Sequence, residues 1–189
     1  MTVACDQEFK SVLSLIESGF ESRGVDAFCV AWIKYERQLR KLAAHLIYQS
    51  AHFDRNNQAA LRTAFLANTG MSHTSARGCF WRLTGTSINE LIGLRYAPLN
   101  HSMNASFRAR EKIFHGQQTG DSLNRAQLIG QVQHIQEWCQ LLSDAAQNRF
   151  GYDGFSGPTS LFKQDNDELT QRVDRELAKL GWEEFVRRL

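Results

Sequence analysis

The chain has 189 residues, 42% hydrophobic, 11% aromatic and 22% charged, with 22 Lys+Arg against 20 Asp+Glu and a net charge of +2. That apolar content excludes a disordered chain, and the near-balance of charge requires any basic surface to be local. With only two prolines, Pro98 and Pro158, long helices are favoured over a many-turned β protein.

In chain order, a first helix is predicted over 8–21, closing near Gly19 or Gly24. The next, over 25–50, places Phe28, Trp32, Tyr35, Leu39, Leu42 and Leu46 on one apolar face by alternating steps of four and three. Its other face carries Lys34, Arg37, Arg40, Lys41 and His45, a stripe read as a solvated face that is also able to track RNA. A helix over 54–66 follows with Asp54 as N-cap. Short helices are expected around 75–83 and 87–91, punctuated by Gly70, Gly78, Gly85 and Gly93, and Pro98 disfavours helix at Ala97. A helix over 102–115 should stop at Gly116. Asp121 or Ser122 opens the longest helix, whose face is Leu128, Val132, Ile135, Cys139, Leu142 and Ala146 and whose end is near Gly151. Residues 152–158 suggest a folded loop that packs back on the bundle or rims its cleft, and 165–189 reads as one or two further helices. The amphipathic tail around Trp182 and Phe185 is a candidate dimer arm, a docking helix, or a helix packed on its own bundle. The sum is an all-α chain: an antiparallel helical bundle over 1–160 and a C-terminal helical extension over 161–189.

No apolar run approaches the roughly 20 residues that span a bilayer, and no basic segment followed by an apolar stretch opens the chain, so a cytoplasmic protein without membrane contact is expected. Cys5, Cys29, Cys79 and Cys139 are far apart and form no CxxC pair, which reads as free, buried thiols in a reducing compartment.

The stretch that carries chemistry is Phe107-Arg108-Ala109-Arg110-Glu111-Lys112-Ile113-Phe114-His115-Gly116. At about 100° per residue, Met103, Phe107 and Phe114 lie within about 60° of Arg110 on one side, and Ser106 and Ile113 within about 60° on the other. A guanidinium in that apolar arc needs a carboxylate, a carbonyl cluster or a phosphate. His115 falls about 140° away, so the two side chains converge only if the last turn unwinds or a second copy supplies one of them. Arg108 lies on nearly the same face as His115, and Glu111, four residues before it, can reach the ring. Glu111 and His115 have the spacing of a two-ligand metal site, but no third ligand is evident, and neither a metal nor another cofactor is expected. Trp32, Phe107, Phe114 and Trp138 fit a core better than a base-stacking platform.

Arg110 to His115 fits the R-x4-6-H motif and, with its place late in a helix before a long helix, resembles HEPN domains over roughly residues 25–150. Arg108 to His115 fits the same motif as R-x6-H. Glu111 stands where many HEPN ribonucleases carry Asn, Asp or His, and Gln117 where some toxin members carry Tyr. The resemblance implies a HEPN-type bundle and a metal-independent endoribonuclease of toxin or phage-defence type. Its RNA substrate would be cleaved by 2′-hydroxyl attack. Arg110 and His115 would be catalytic, with Arg108, Glu111, Lys112 and Gln117 supporting the site or binding RNA. It further implies a homodimer with a composite active site, and a cognate antitoxin or inhibitor. The other readings are a non-catalytic HEPN-like module that binds RNA, a nucleotide or a protein partner, and a helical interaction protein with an accidental Arg–His spacing.

Overall fold

The computed structural model describes residues 3–68, 71–116 and 124–189, and every regular element among them is helical. These are α1 (Val3–Glu17), α2 (Arg23–Tyr48), a 3-10 turn (Arg55–Asn57) leading into α3 (Gln58–Ala67), α4 (His73–Thr84) and α5 (Ile88–Ile92). A second 3-10 turn (Gly93–Arg95) leads into α6 (Tyr96–Phe114), followed by α7 (Arg125–Phe150), α8 (Asp167–Leu177) and α9 (Trp182–Arg187). Among the described residues no helix is long and apolar enough to cross a membrane.

Helix starts are set by reciprocal caps at Asp54, Ser72, Ser87 and Asn124, each accepting an N–H of the first turn while the residue three on returns a side-chain acceptor. The described part of α7 thus begins at Asn124; the expected openers Asp121 and Ser122 lie outside the described residues. The break expected at Ala97 does not occur. Pro98 is the third residue of α6, in the first turn, where a missing N–H removes little.

The faces of α2 and α7 read from the sequence form the core. Trp32, Tyr35, Leu39, Leu42 and Leu46 are buried against Val132, Ile135, Cys139, Leu142 and Ala146. Each large apolar side chain so buried contributes about 1.5–3 kcal/mol. The hairpins α1/α2 and α6/α7 are antiparallel, with Lys34 Nζ at 2.7 Å from Glu8 and Arg95 at 2.6 Å from Glu137. The central pair α2/α7 departs from a uniformly antiparallel bundle. Gly24 faces Arg125, Gln38 Nε2 donates to the Cys139 carbonyl at 2.9 Å, and His45 Nε2 meets the Phe150 carbonyl at 3.1 Å, so the two helices run the same way. The excursion through α3 to α6 returns the chain to the end where α2 starts, as a crossover connection does.

The basic stripe on α2 is a solvated face only at Arg37, which is exposed; its other members are half-buried or buried, and all are held by the chain's own groups. Lys34 and Arg37 pair with Glu8 of α1, Lys41 donates to the Phe155 carbonyl at 3.1 Å, and Arg40 reaches the Phe65 and Asn68 carbonyls. His45 is fully buried between the Ser160 and Phe150 carbonyls. The loop after α7 packs back on the bundle. The Asp153 carboxylate accepts from Phe155 N at 2.8 Å and Ser156 N at 2.7 Å, while its carbonyl accepts from Gln38 and Ser143. Gly154 has φ +86°, and a Cβ there would meet Gln38 Cγ at 2.6 Å, so this turn admits glycine on both counts. These bonds tie the loop to α2 and α7, not to α6.

The C-terminal helices pack on their own chain. Arg82 of α4 pairs with Glu176 of α8 at 2.8 Å, Phe185 and Val186 are buried, and Trp182 meets Phe53 edge-on at 5.4 Å. All four cysteines are free thiols; Cys5, Cys79 and Cys139 are buried, while Cys29 is only half-buried. Burial pushes the Cys5 and Cys79 thiols up to about 12.

Candidate functional site

The α6 helix exists because Leu99, Met103, Ser106 and Ala109 bury one face, and it ends because Gly116, at φ +63°, takes the left-handed conformation after the His115 C-cap. The last turn of the helix is half-buried to exposed. Arg110 therefore lies at the edge of the packed face, with its side chain 29% exposed, rather than sealed within it. Among the described residues its Nε atom is buried without a hydrogen-bond partner, and its planar head lies over the Phe114 ring at 4.9 Å.

The guanidinium fork finds two carboxylates. Nη1 donates to Glu111 Oε1 on its own helix, and Nη2 lies 3.5 Å from Glu36 Oε1 on α2. The same Glu36 oxygen accepts from the indole Nε1 of buried Trp32 at 2.8 Å, so the core fixes this acceptor. The second Glu111 oxygen is 3.7 Å from His115 Nε2. One carboxylate thus joins the two residues that a straight helix keeps on different sides. The ring itself is 66% exposed.

The remaining predicted site residues are not drawn into this cluster. Arg108 is exposed and Lys112 half-buried, and neither makes an ion pair among the described residues. Gln117 lies outside the described residues. Phe114 is 49% exposed, a correction to its assignment to the core, because the bundle has no element covering that end of α6 among the described residues. Trp32 and Trp138 are fully buried, and Phe107 packs against the core as expected.

Two participants were not read from the sequence. Glu36 was missed although its spacing from Trp32 is the four residues that bring helix neighbours together. His73 at the start of α4 packs on Phe107 at 4.5 Å and edge-on to Trp32 at 5.8 Å. Burial, then the charges of Arg77 and Arg110, push its imidazole down to about 4, so it is neutral at pH 7. Arg77, four residues on in α4, is its one charged neighbour in the local sequence; the rings that bury it and Arg110 come from other helices. Among the described residues, no group of three or more His, Cys, Asp or Glu side chains gathers as a metal site.

The fold defines an all-α protein with a guanidinium, a carboxylate and an imidazole gathered at the exposed end of one helix. Comparison with protein-family models, with curated proteins and with solved structures finds no match.

Proposed function

We propose that the chain is a metal-independent endoribonuclease of HEPN type that works as a homodimer, with Arg110 and His115 catalytic and Glu111 positioning both. The observation that carries this reading is the shared carboxylate: Glu111 bonds Arg110 through one oxygen and lies 3.7 Å from His115 through the other. A guanidinium fork shaped for carboxylates also fits phosphate oxygens, so an RNA phosphodiester can replace the acids on Arg110. An RNA 2′-hydroxyl then attacks the adjacent phosphorus, giving up its proton to a base. The bond to the 5′-oxygen breaks, and that oxygen takes a proton. The products are a 2′,3′-cyclic phosphate and a 5′-hydroxyl, and the 2′-hydroxyl requirement selects RNA over DNA. Arg110 offsets charge on the phosphorane, and an imidazole, which titrates near neutral pH, supplies the acid or base.

The half-exposed Phe114 beside this cluster supports a second copy as its cover. Two α6 ends meeting across a two-fold axis bring two Arg–His pairs into one cleft. Arg108 and Lys112 would hold flanking phosphates. An RNA-cleaving enzyme of toxin or defence type needs restraint, so a cognate inhibitor belongs to this proposal.

A second reading, a non-catalytic RNA- or partner-binding module, is favoured by one specific observation: Glu36 and Glu111 already neutralise Arg110 while the His115 ring stands in solvent. The two separate by experiment. Wild type, Arg110→Ala and His115→Ala are incubated with total RNA in EDTA, and fragment ends are mapped. The proposal expects cleavage with 5′-hydroxyl ends by wild type and a loss of roughly 100-fold or more in either variant. RNA retention without cleavage favours the module, and cleavage by all three proteins alike refutes the assigned residues.

A further inference from the structure

Away from α6, a shallow groove of about 350 Å³ runs between the second half of α2, α3 and residues 158–161. Its floor is apolar, built from Ala44, Leu61, Phe65 and Leu161, and Leu66 stands on its lip 81% exposed. Arg40 and Lys41 line it from α2 and Arg62 from α3.

These three cations are held only by neutral acceptors. Arg40 Nη1 donates to the Phe65 and Asn68 carbonyls at 3.4 Å, Lys41 Nζ to the Phe155 carbonyl at 3.1 Å, and Arg62 Nη2 to Thr159 Oγ1 at 3.1 Å. No carboxylate lines the groove, and among the described residues none makes an ion pair with any of the three. Some cations elsewhere do meet an acid, Lys34, Arg37, Arg82, Arg95 and Arg110 among them. Burial, then the charge of Arg37, pulls the Lys41 ammonium below the usual lysine range against the opposing charges of Glu8 and Asp153, so an arriving anion would relieve a standing cost.

Unmatched charge around an exposed apolar floor favours a partner that brings both complements. One carboxylate on an alkyl chain satisfies one cation. Three cations from the two helices that line an apolar groove match a helix whose apolar row is flanked by acids. We infer that this groove docks an acidic amphipathic helix of a partner protein, its apolar row on Phe65 and Leu66 and its carboxylates on Arg40, Lys41 and Arg62. No α6 residue lines the groove, so the site stands apart from the proposed catalytic end.

The test uses the full chain and a fluorescein-labelled helical peptide with leucines at i, i+3, i+4 and i+7 flanked by glutamates, read by anisotropy. Saturable binding is expected with a dissociation constant in the micromolar range. Arg62→Glu and Leu66→Asp, both at exposed positions, should each weaken it at least about tenfold, with circular dichroism and melting unchanged. A peptide carrying lysine for each glutamate should not bind. Absence of saturation by ~1 mM, equal binding of the lysine peptide, or indifference to both substitutions overturns the inference. Saturable binding of decanoate without binding of the peptide overturns it too, and assigns the groove to a small anionic amphiphile.

Discussion

Acid should destabilise this fold through His73, and replacing that residue should remove the effect. The imidazole is 6% exposed, packed on Phe107 and Trp32, and held down at about 4 against an ordinary 6.5. Between those two values the unfolded chain takes up the proton before the folded chain does. The stability that the neutral ring contributes is therefore complete above pH 6.5 and is lost as the pH falls toward 4. At about 1.4 kcal/mol per unit, the loss is about 2 kcal/mol at pH 5 and about 3 kcal/mol near pH 4. In urea, with a slope of about 2 kcal/mol/M, this moves the unfolding midpoint down by roughly 1 M at pH 5. His73→Phe keeps the aromatic packing and cannot titrate. Urea unfolding of both proteins from pH 8 to pH 4.5 should show their midpoints diverging below pH 6.5, with the variant the more stable. Other titrating groups, His45 among them, bend both curves alike, so the difference isolates His73. Parallel curves would refute the claim that this ring is buried neutral beside Arg77 and Arg110.

Two further outcomes follow from particular contacts. Glu36→Gln removes one of the two carboxylates on Arg110, so in a His115→Ala background RNA binding should tighten several-fold, while Glu111→Gln in the active protein should slow cleavage about tenfold; filter binding and cleavage assays check this, and looser RNA binding in the Glu36 variant would show that this carboxylate serves the site. His45→Leu removes the one N–H that the neutral ring donates to the Ser160 or the Phe150 carbonyl, leaves that carbonyl unmet in the interior and should cost about 1–3 kcal/mol in urea unfolding at pH 7.5, whereas no measurable loss would mean that water reaches it.

Much of the candidate site was legible in the α6 segment alone. The wheel put Glu111 within reach of His115, and that holds; it put Arg110 in the middle of an apolar arc, whereas the side chain sits at the edge of the packed face, 29% exposed. The degree of burial was not legible, because it depends on which neighbours cover the helix. Nor was the acid on α2 that meets Arg110, since Glu36 is brought there by the packing of two helices distant in the chain.

The succession of helices, the Asp54 cap and the apolar faces of α2 and α7 were legible in local order, because a cap acts over three residues and a face repeats every three or four, whereas the start of α6 at Tyr96 was not. The fate of the charges was decided only by the assembled bundle. Lys34 and Arg37 are matched by Glu8 on a different helix, His45 is sealed under residues 150–160, and Arg40, Lys41 and Arg62 are left to rim an apolar groove. A periodic pattern says which side of a helix is polar; whether a charge there meets an acid, a carbonyl or open solvent depends on what the rest of the chain lays against it.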